Sequence, residues 1–276
     1  MAIGDITLSS AARANLTALQ STSALLAQTQ AHLSTGKKVN SASDNATAYF
    51  ASQGFLQRAN DLSTVKDTLS TSLQTVTSTD NSIADVTSVI TQLQGLATQA
   101  LGTTNTDTRA GLASQFNALT TQLDTLVNDA TFNGTNLLNS TGNTLVVYFN
   151  ETNTTSLTIT GVNVTSAGLL TASGNSAAGS WATTSNIQTS QSYLLTALTT
   201  LRTDAATFGG NATLIQTRQD FTSNLITSLQ DASTSLIQAD TNAEGANLQA
   251  LQAQNSLGII SLGISGTLEQ AILRIL

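Results

Sequence analysis

Residues 225–264 read LITSLQDASTSLIQADTNAEGANLQALQAQNSLGIISLGI, and two apolar rows run through them at seven-residue spacing. One row is Leu225, Ala232, Ala239, Ala246, Ala253 and Ile260. The other is Leu229, Leu236, Ala243, Ala250, Leu257 and Ile264. A strict heptad of apolar residues predicts a helix with a continuous seam facing a partner. At about 1.5 Å per residue the seam spans on the order of 60 Å. The many alanines predict close helix–helix approach. Similar rows occur upstream. Phe55, Leu62, Leu69, Val76, Ile83, Ile90 and Ala97 recur every seven residues, with Val86, Leu93 and Ala100 beside them. After a polar break at Gly102–Asp107, Leu112, Phe116, Leu119, Leu123 and Leu126 mark one face of a further helix. Near the N-terminus Leu19, Leu26 and Leu33 form a shorter row, with Leu16 alongside.

The pattern changes between about Asn133 and Ser185, where Gly, Asn, Thr and Ser dominate. Leu145–Phe149, Leu157–Ile159 and Gly161–Val164 read as strands, with Asn150–Thr155 as a turn. The expected fold is therefore mainly α: a long coiled-coil or bundle built from both chain termini, with a small β-rich insert at its far end.

Composition narrows the function. The chain has 276 residues, enough to bury a sizeable core. Charged residues are 9%, against roughly 25% in an average soluble domain. Ser, Thr, Asn and Gln take their place. The net charge of −7 and nine Lys plus Arg argue against nucleic acid as a partner. There is no Cys and one His, His32. Thiolate metal sites, Cys nucleophiles and disulfides are excluded. No P-loop, HExxH or GxSxG pattern occurs. The expectation is no enzyme, no catalytic residue, no metal and no cofactor. No run of about 18 apolar residues predicts a membrane span, and the N-terminus lacks a basic, then apolar signal pattern. The helical stripes are long and carry few Glu–Lys pairs. Isolated in water such helices are marginal, so they call for a partner surface, within the chain or on another copy.

One segment interrupts the heptads: Leu33-Ser34-Thr35-Gly36-Lys37-Lys38-Val39-Asn40-Ser41-Ala42-Ser43-Asp44-Asn45. It reads as a helix C-terminus broken by Gly36, lysines at the negative end of the helix dipole, an extended linker, and a new N-cap at Ser43 or Asp44. This segment resembles the bacterial flagellin pattern Leu-Ser-Ser/Thr-Gly-basic-basic-Ile/Val-Asn-x-Ala-x-Asp. Leu126–Leu138 is similar to the family's run ending in Phe-Asn-Gly and a Leu pair, here Phe132, Asn133, Gly134, Leu137 and Leu138. Asn247-Leu248-Gln249-Ala250 and the Leu-rich tail add to the likeness, closest to the short alphaproteobacterial flagellins. It covers about residues 1–140 and 187–276.

The resemblance implies a subunit of the flagellar filament, with a hook–filament junction protein of the same architecture as the alternative. It implies residues 1–46 plus 237–276 as an inner coiled-coil domain and spoke, 47–140 plus 188–236 as a helical shell, and 141–187 as a variable outer insert. The inner-tube interface would use Leu16, Leu19, Leu26, Leu33, Leu248, Leu251, Leu257, Ile260, Ile264 and Leu268. The spoke would use Gly36, Lys37, Lys38, Asn40 and Asp44. Implied partners are other copies of the chain, the flagellar type III export apparatus and an export chaperone, the filament cap and junction proteins. The implied location is extracellular, in the filament. Thr152, Thr154, Thr155 and Ser173 in the insert are candidates for O-glycosylation. Val89–Ala97 lacks the Arg and Glu through which many flagellins are read by their innate immune receptor, so purified monomer is expected to activate that receptor poorly in a reporter-cell assay.

Overall fold

A computed structural model describes residues 10–170 and 177–275. Its elements, in order, are α1 (Ser10–Thr35), α2 (Ala46–Leu101), α3 (Thr106–Asp129), β1 (Thr144–Tyr148), β2 (Ser156–Thr160), a one-turn α4 (Ser166–Leu169), a 3-10 turn (Ala178–Trp181), α5 (Thr184–Ile237) and α6 (Thr241–Ile275). The chain divides into two compact units. One comprises residues 58–227, the other residues 1–57 with 228–276.

The first unit packs α2, α3 and α5 around a single core. The heptad row of α2 supplies Leu62, Leu69, Val76, Ile83, Ile90 and Ala97, all buried, with Val86, Leu93 and Ala100 beside them. From α3 come Phe116 and Leu123, with Leu112, Leu119 and Leu126 partly buried against the cluster. From α5 come Ile187, Leu194, Leu201, Phe208 and Ile215. Trp181, the sole tryptophan, is fully buried. It meets Phe116 edge to face at 4.9 Å between ring centres, and its Nε1–H donates to Ser190 Oγ at 3.0 Å.

Polar side chains fix the turns. Asn105 caps α3 by accepting the Thr108 N–H. The buried Arg109 Nε–H donates to Ala100 O and Thr103 O, so a cation sits at the carbonyl end of α2. After α3, Asn136 Nδ2 donates to Val127 O and Asn128 O while its Oδ1 accepts the Leu138 and Asn139 amides. Asp124 holds Ser166 through both the amide and the hydroxyl at 2.7 Å.

The insert is one antiparallel hairpin, Thr144 pairing with Thr160 and Tyr148 with Ser156. Val147 and Ile159 point inward, the alternation that the sequence showed. Arg58 of α2 pairs with Glu151 in the turn, and Arg218 of α5 lies 4.9 Å over the Phe149 ring. The expected third strand, Gly161–Val164, does not form. Its amides at Val162 and Val164 donate to Leu137 O and Leu138 O, on an irregular segment with a single bridge at Asn139–Asn163. Gly161 sits so close to this segment that a Cβ would lie 2.7 Å from Ser140 O.

Because Phe116 is fully buried, Phe116→Ala removes an aromatic side chain and leaves a cavity. We expect a loss of about 3–5 kcal/mol in this unit, read as a lower denaturant midpoint by Trp181 fluorescence.

Candidate functional site

The second unit holds the chain's ends. Helices α1 and α6 run antiparallel. Asn15 Nδ2 donates to Ser261 Oγ at 3.2 Å, Gly258 faces Leu19, and His32 Nδ1 lies 2.8 Å from Glu244 Oε1. On α1 the covered residues include Ala12, Asn15, Leu19, Thr22, Leu26, Thr29 and Leu33, spaced three and four apart, with His32 beside Leu33. On α6 they include Glu244, Leu248, Leu251, Asn255, Gly258, Leu262 and Ser265, with the same spacing, and Gly245 and Gly266 are covered beside them. Each helix gives one knobs-into-holes seam to the other. A Cβ at Gly258 would come 2.6 Å from Leu19 Cδ1, so glycine permits the approach there.

The apolar rows read from the sequence do not form this seam throughout. The expected unbroken helix over 225–264 is interrupted at Gln238–Asp240. Ala239 N–H leaves the helix pattern to donate to Gly36 O, and Asp240 Oδ1 caps the new helix by accepting the Asn242 and Ala243 amides. The break changes the phase. Before it, Leu229 is buried and Leu225, Ala232 and Leu236 half-buried, and Ala239 within the break is buried. After it, the same rows (Ala243, Ala246, Ala250, Ala253, Leu257, Ile260 and Ile264) are all exposed. At 3.6 residues per turn this outward ridge lies about 140° around α6 from the face that meets α1. Leu257 is 67% exposed, Ile260 59%, Ile264 56% and Leu268 60%.

The candidate interface residues therefore fall into two groups. Leu19, Leu26, Leu33, Leu248 and Leu251 lie half-buried between α1 and α6. Leu257, Ile260, Ile264 and Leu268 stand outward, and Leu16 is exposed on α1. The signal for this split was the polar run Asp240-Thr241-Asn242, a helix start inside an intact heptad.

Gly36 ends α1 with a φ of +68°, the left-handed conformation glycine adopts without cost. The next residues run beside the α5–α6 break: the Lys38 amide donates to Ile237 O at 2.7 Å and the Ala239 amide to Gly36 O at 3.0 Å. Lys38 Nζ reaches Ser235 O in the last turn of α5 at 3.5 Å. Asp44 is not the N-cap of α2. Asn45 is, its Oδ1 accepting the Ala48 amide. The Asp44 carboxylate instead gathers the Asn40 and Ser41 amides at 2.9 Å each and the Ser41 hydroxyl. Asn40 Nδ2 donates back to Lys37 O. A further cross-link missed in the sequence joins Ser52 of α2 to Ser233 of α5, 2.8 Å apart and buried. Nothing in the periodicity marks it.

Of the glycan candidates, Thr152, Thr154 and Thr155 are exposed in the hairpin turn; the first two accept from Asn150 Nδ2 through their hydroxyls, and the Thr155 amide donates to Asn150 Oδ1. Ser173 lies outside the described residues. Among the described residues no group of His and carboxylates is placed to hold a metal ion, and no helix is long and apolar enough to cross a membrane. In the first unit a shallow groove between α2 and α3 is floored by Leu96, Ala118 and Leu119 and walled by Gln92, Gln99, Gln115 and Gln122. It holds no charged group.

The two amides on Asp44, Asn40 first, hold its carboxyl below the usual range despite full exposure. A depressed carboxyl stabilises the fold above its ordinary pKa and loses that contribution as pH falls through the lowered value. Protection of the Asn40 and Ser41 amides from hydrogen exchange should therefore fall in acid below the ordinary carboxylate range. In Asp44→Asn it should be weak at every pH.

Comparison with known proteins finds relatives across nearly the whole chain. A family model described as the bacterial flagellin N-terminal helical region matches residues 6–143. Flagellin FljM of Caulobacter vibrioides is 30% identical over 274 residues, covering 99% of this chain and 98% of its own. A flagellin of Brucella melitensis is 27% identical over 287 residues, covering 98% of each. Among solved structures, Bacillus cereus flagellin matches with a TM-score of 0.49 and 18% identity, over 56% of this chain and 88% of its own. With half the chain matched by the family model and near-complete alignment to relatives of its own length, this protein belongs to the bacterial flagellin family.

Proposed function

We propose that the outward ridge of α6 is the surface through which this flagellin polymerises into the flagellar filament, each copy receiving the ridge of another. The observation that carries the reading is a helix with two apolar faces, one spent on α1 and one ending in four large exposed residues, Leu257, Ile260, Ile264 and Leu268. Covering one such side chain stabilises by roughly 1.5–3 kcal/mol. A ridge that meets a different surface of the next copy makes a heterologous contact, and such contacts propagate as open helical polymers.

In this reading residues 1–46 plus 237–276 form the inner coiled-coil domain and spoke, and Gly36, Lys37, Lys38, Asn40 and Asp44 join it to the helical shell of 47–140 and 188–236. Residues 141–187 would be the outer insert, and Thr152, Thr154, Thr155 and Ser173 would be its candidates for O-glycosylation. The chain leaves the cell through the flagellar type III apparatus with an export chaperone, meets junction proteins at the hook and adds under a filament cap. Its role is structural, not catalytic. The junction-protein alternative is disfavoured, since the matched relatives of the same length are flagellins.

Both Leu257 and Ile264 are exposed within the single chain, so a charge there leaves the monomer intact. Leu257→Asp and Ile264→Asp are expected to give soluble protein with unchanged circular dichroism that forms no filaments by electron microscopy. Long filaments from either variant would refute the assignment.

A further inference from the structure

The structure points to Asn133–Gly134 as a site of spontaneous deamidation, an ageing mark built into the turn that follows α3. This is the one Asn-Gly step in the sequence. Both residues are exposed. They form the two central positions of a tight turn, with φ of 48° and 77°, closed by reciprocal bonds at 2.9 Å between the backbones of Phe132 and Thr135. That is the geometry Asn-Gly pairs favour. Within the described residues neither the Asn133 carboxamide nor the Gly134 N–H makes a hydrogen bond, and nothing lies within 4 Å of where a Gly134 side chain would be. Several other loop asparagines have their side chains held: Asn40 by Lys37 O, Asn105 by the Thr108 amide, Asn136 by four backbone groups, Asn143 by Asn136 O.

The chemistry needs only water. The Gly134 amide nitrogen loses its proton and attacks Asn133 Cγ. The new N–Cγ bond closes a five-membered imide, the Cγ–Nδ2 bond breaks, and nitrogen leaves as ammonia. Water then adds to either imide carbonyl and cleaves its bond to nitrogen, giving aspartate or isoaspartate. Nothing is oxidised or reduced. The closed turn holds Asn133 in the left-handed region, so ring closure runs through the turn's opening and the fold sets the rate. Either product carries a new negative charge a few residues past the carbonyl end of α3, where the helix dipole disfavours it. Isoaspartate also adds a backbone methylene, which removes the match between Phe132 and Thr135.

The test incubates the full-length protein at mildly alkaline pH and 37 °C in ¹⁸O-labelled water, followed by peptide mapping with mass spectrometry. The expected result is conversion at Asn133 several-fold faster than at any other asparagine, as mixed aspartate and isoaspartate carrying one labelled oxygen. It should proceed more slowly than in the unfolded chain under denaturant. Asn133→Gln, which closes the ring far more slowly, should remove the signal. An unmodified Asn133, or conversion spread evenly over the asparagines, overturns the inference.

Discussion

No helix of this flagellin is built to stand in water by itself, and the burial of apolar seams is the constraint from which the rest of the structure follows. Among the described residues one ion pair, Arg58–Glu151, and one histidine–carboxylate contact, His32–Glu244, occur, and neither lies within one helix. The faces that would carry Glu–Lys ladders carry Thr and Ser instead. Their hydroxyls turn back on the helix, as with the exposed Thr64, Thr68, Thr71, Ser88, Thr91 and Thr98, each donating to the carbonyl four residues earlier. Such bonds satisfy the hydroxyl and add little to helix stability. What stabilises α2 is the burial of its apolar row against α3 and α5.

The two units meet that constraint to different degrees. In residues 58–227 three helices close on one another, and fully buried side chains such as Leu69, Ile90, Phe116, Trp181 and Phe208 form one core. The pair α1–α6 has a single seam, part of it Thr, Asn, Ser and Gly, and its remaining surface is open. A unit with few large buried side chains opens locally at low cost. The same shortage that leaves the ends marginal leaves Leu257, Ile260, Ile264 and Leu268 exposed, the ridge that the proposed polymerisation would use.

Much of this was legible in the residues. The heptad of α2 named its buried positions from Leu62 to Ala97, the 4–3 stepping of α3 named Phe116 and Leu123, and alternation named the hairpin. Gly36 marked the end of α1. The strand expected at Gly161–Val164 failed because alternation cannot distinguish a ladder from isolated amides bonded to a loop. Asp44 was misread as a cap because a carboxylate near a helix start can equally collect the amides before it. The heptad of α6 grouped the residues of its outward face, but a heptad reports which residues share a face, not which neighbour that face meets. Side-chain links such as Ser52–Ser233 and His32–Glu244 join positions about 180 and 210 residues apart, and no local pattern carries them.

The break at Gln238–Asp240 places an unusual demand on heredity. Substitutions there are tolerable so long as some residue caps α6 and the amide of position 239 is free to bond. Insertions and deletions are not, because each added or lost residue swings everything downstream by about 100°. A single codon gained in the connector would carry Leu257, Ile260 and Ile264 off their bearing while altering none of them. Gene lineages should therefore drift freely in spelling across this joint and hold its length constant.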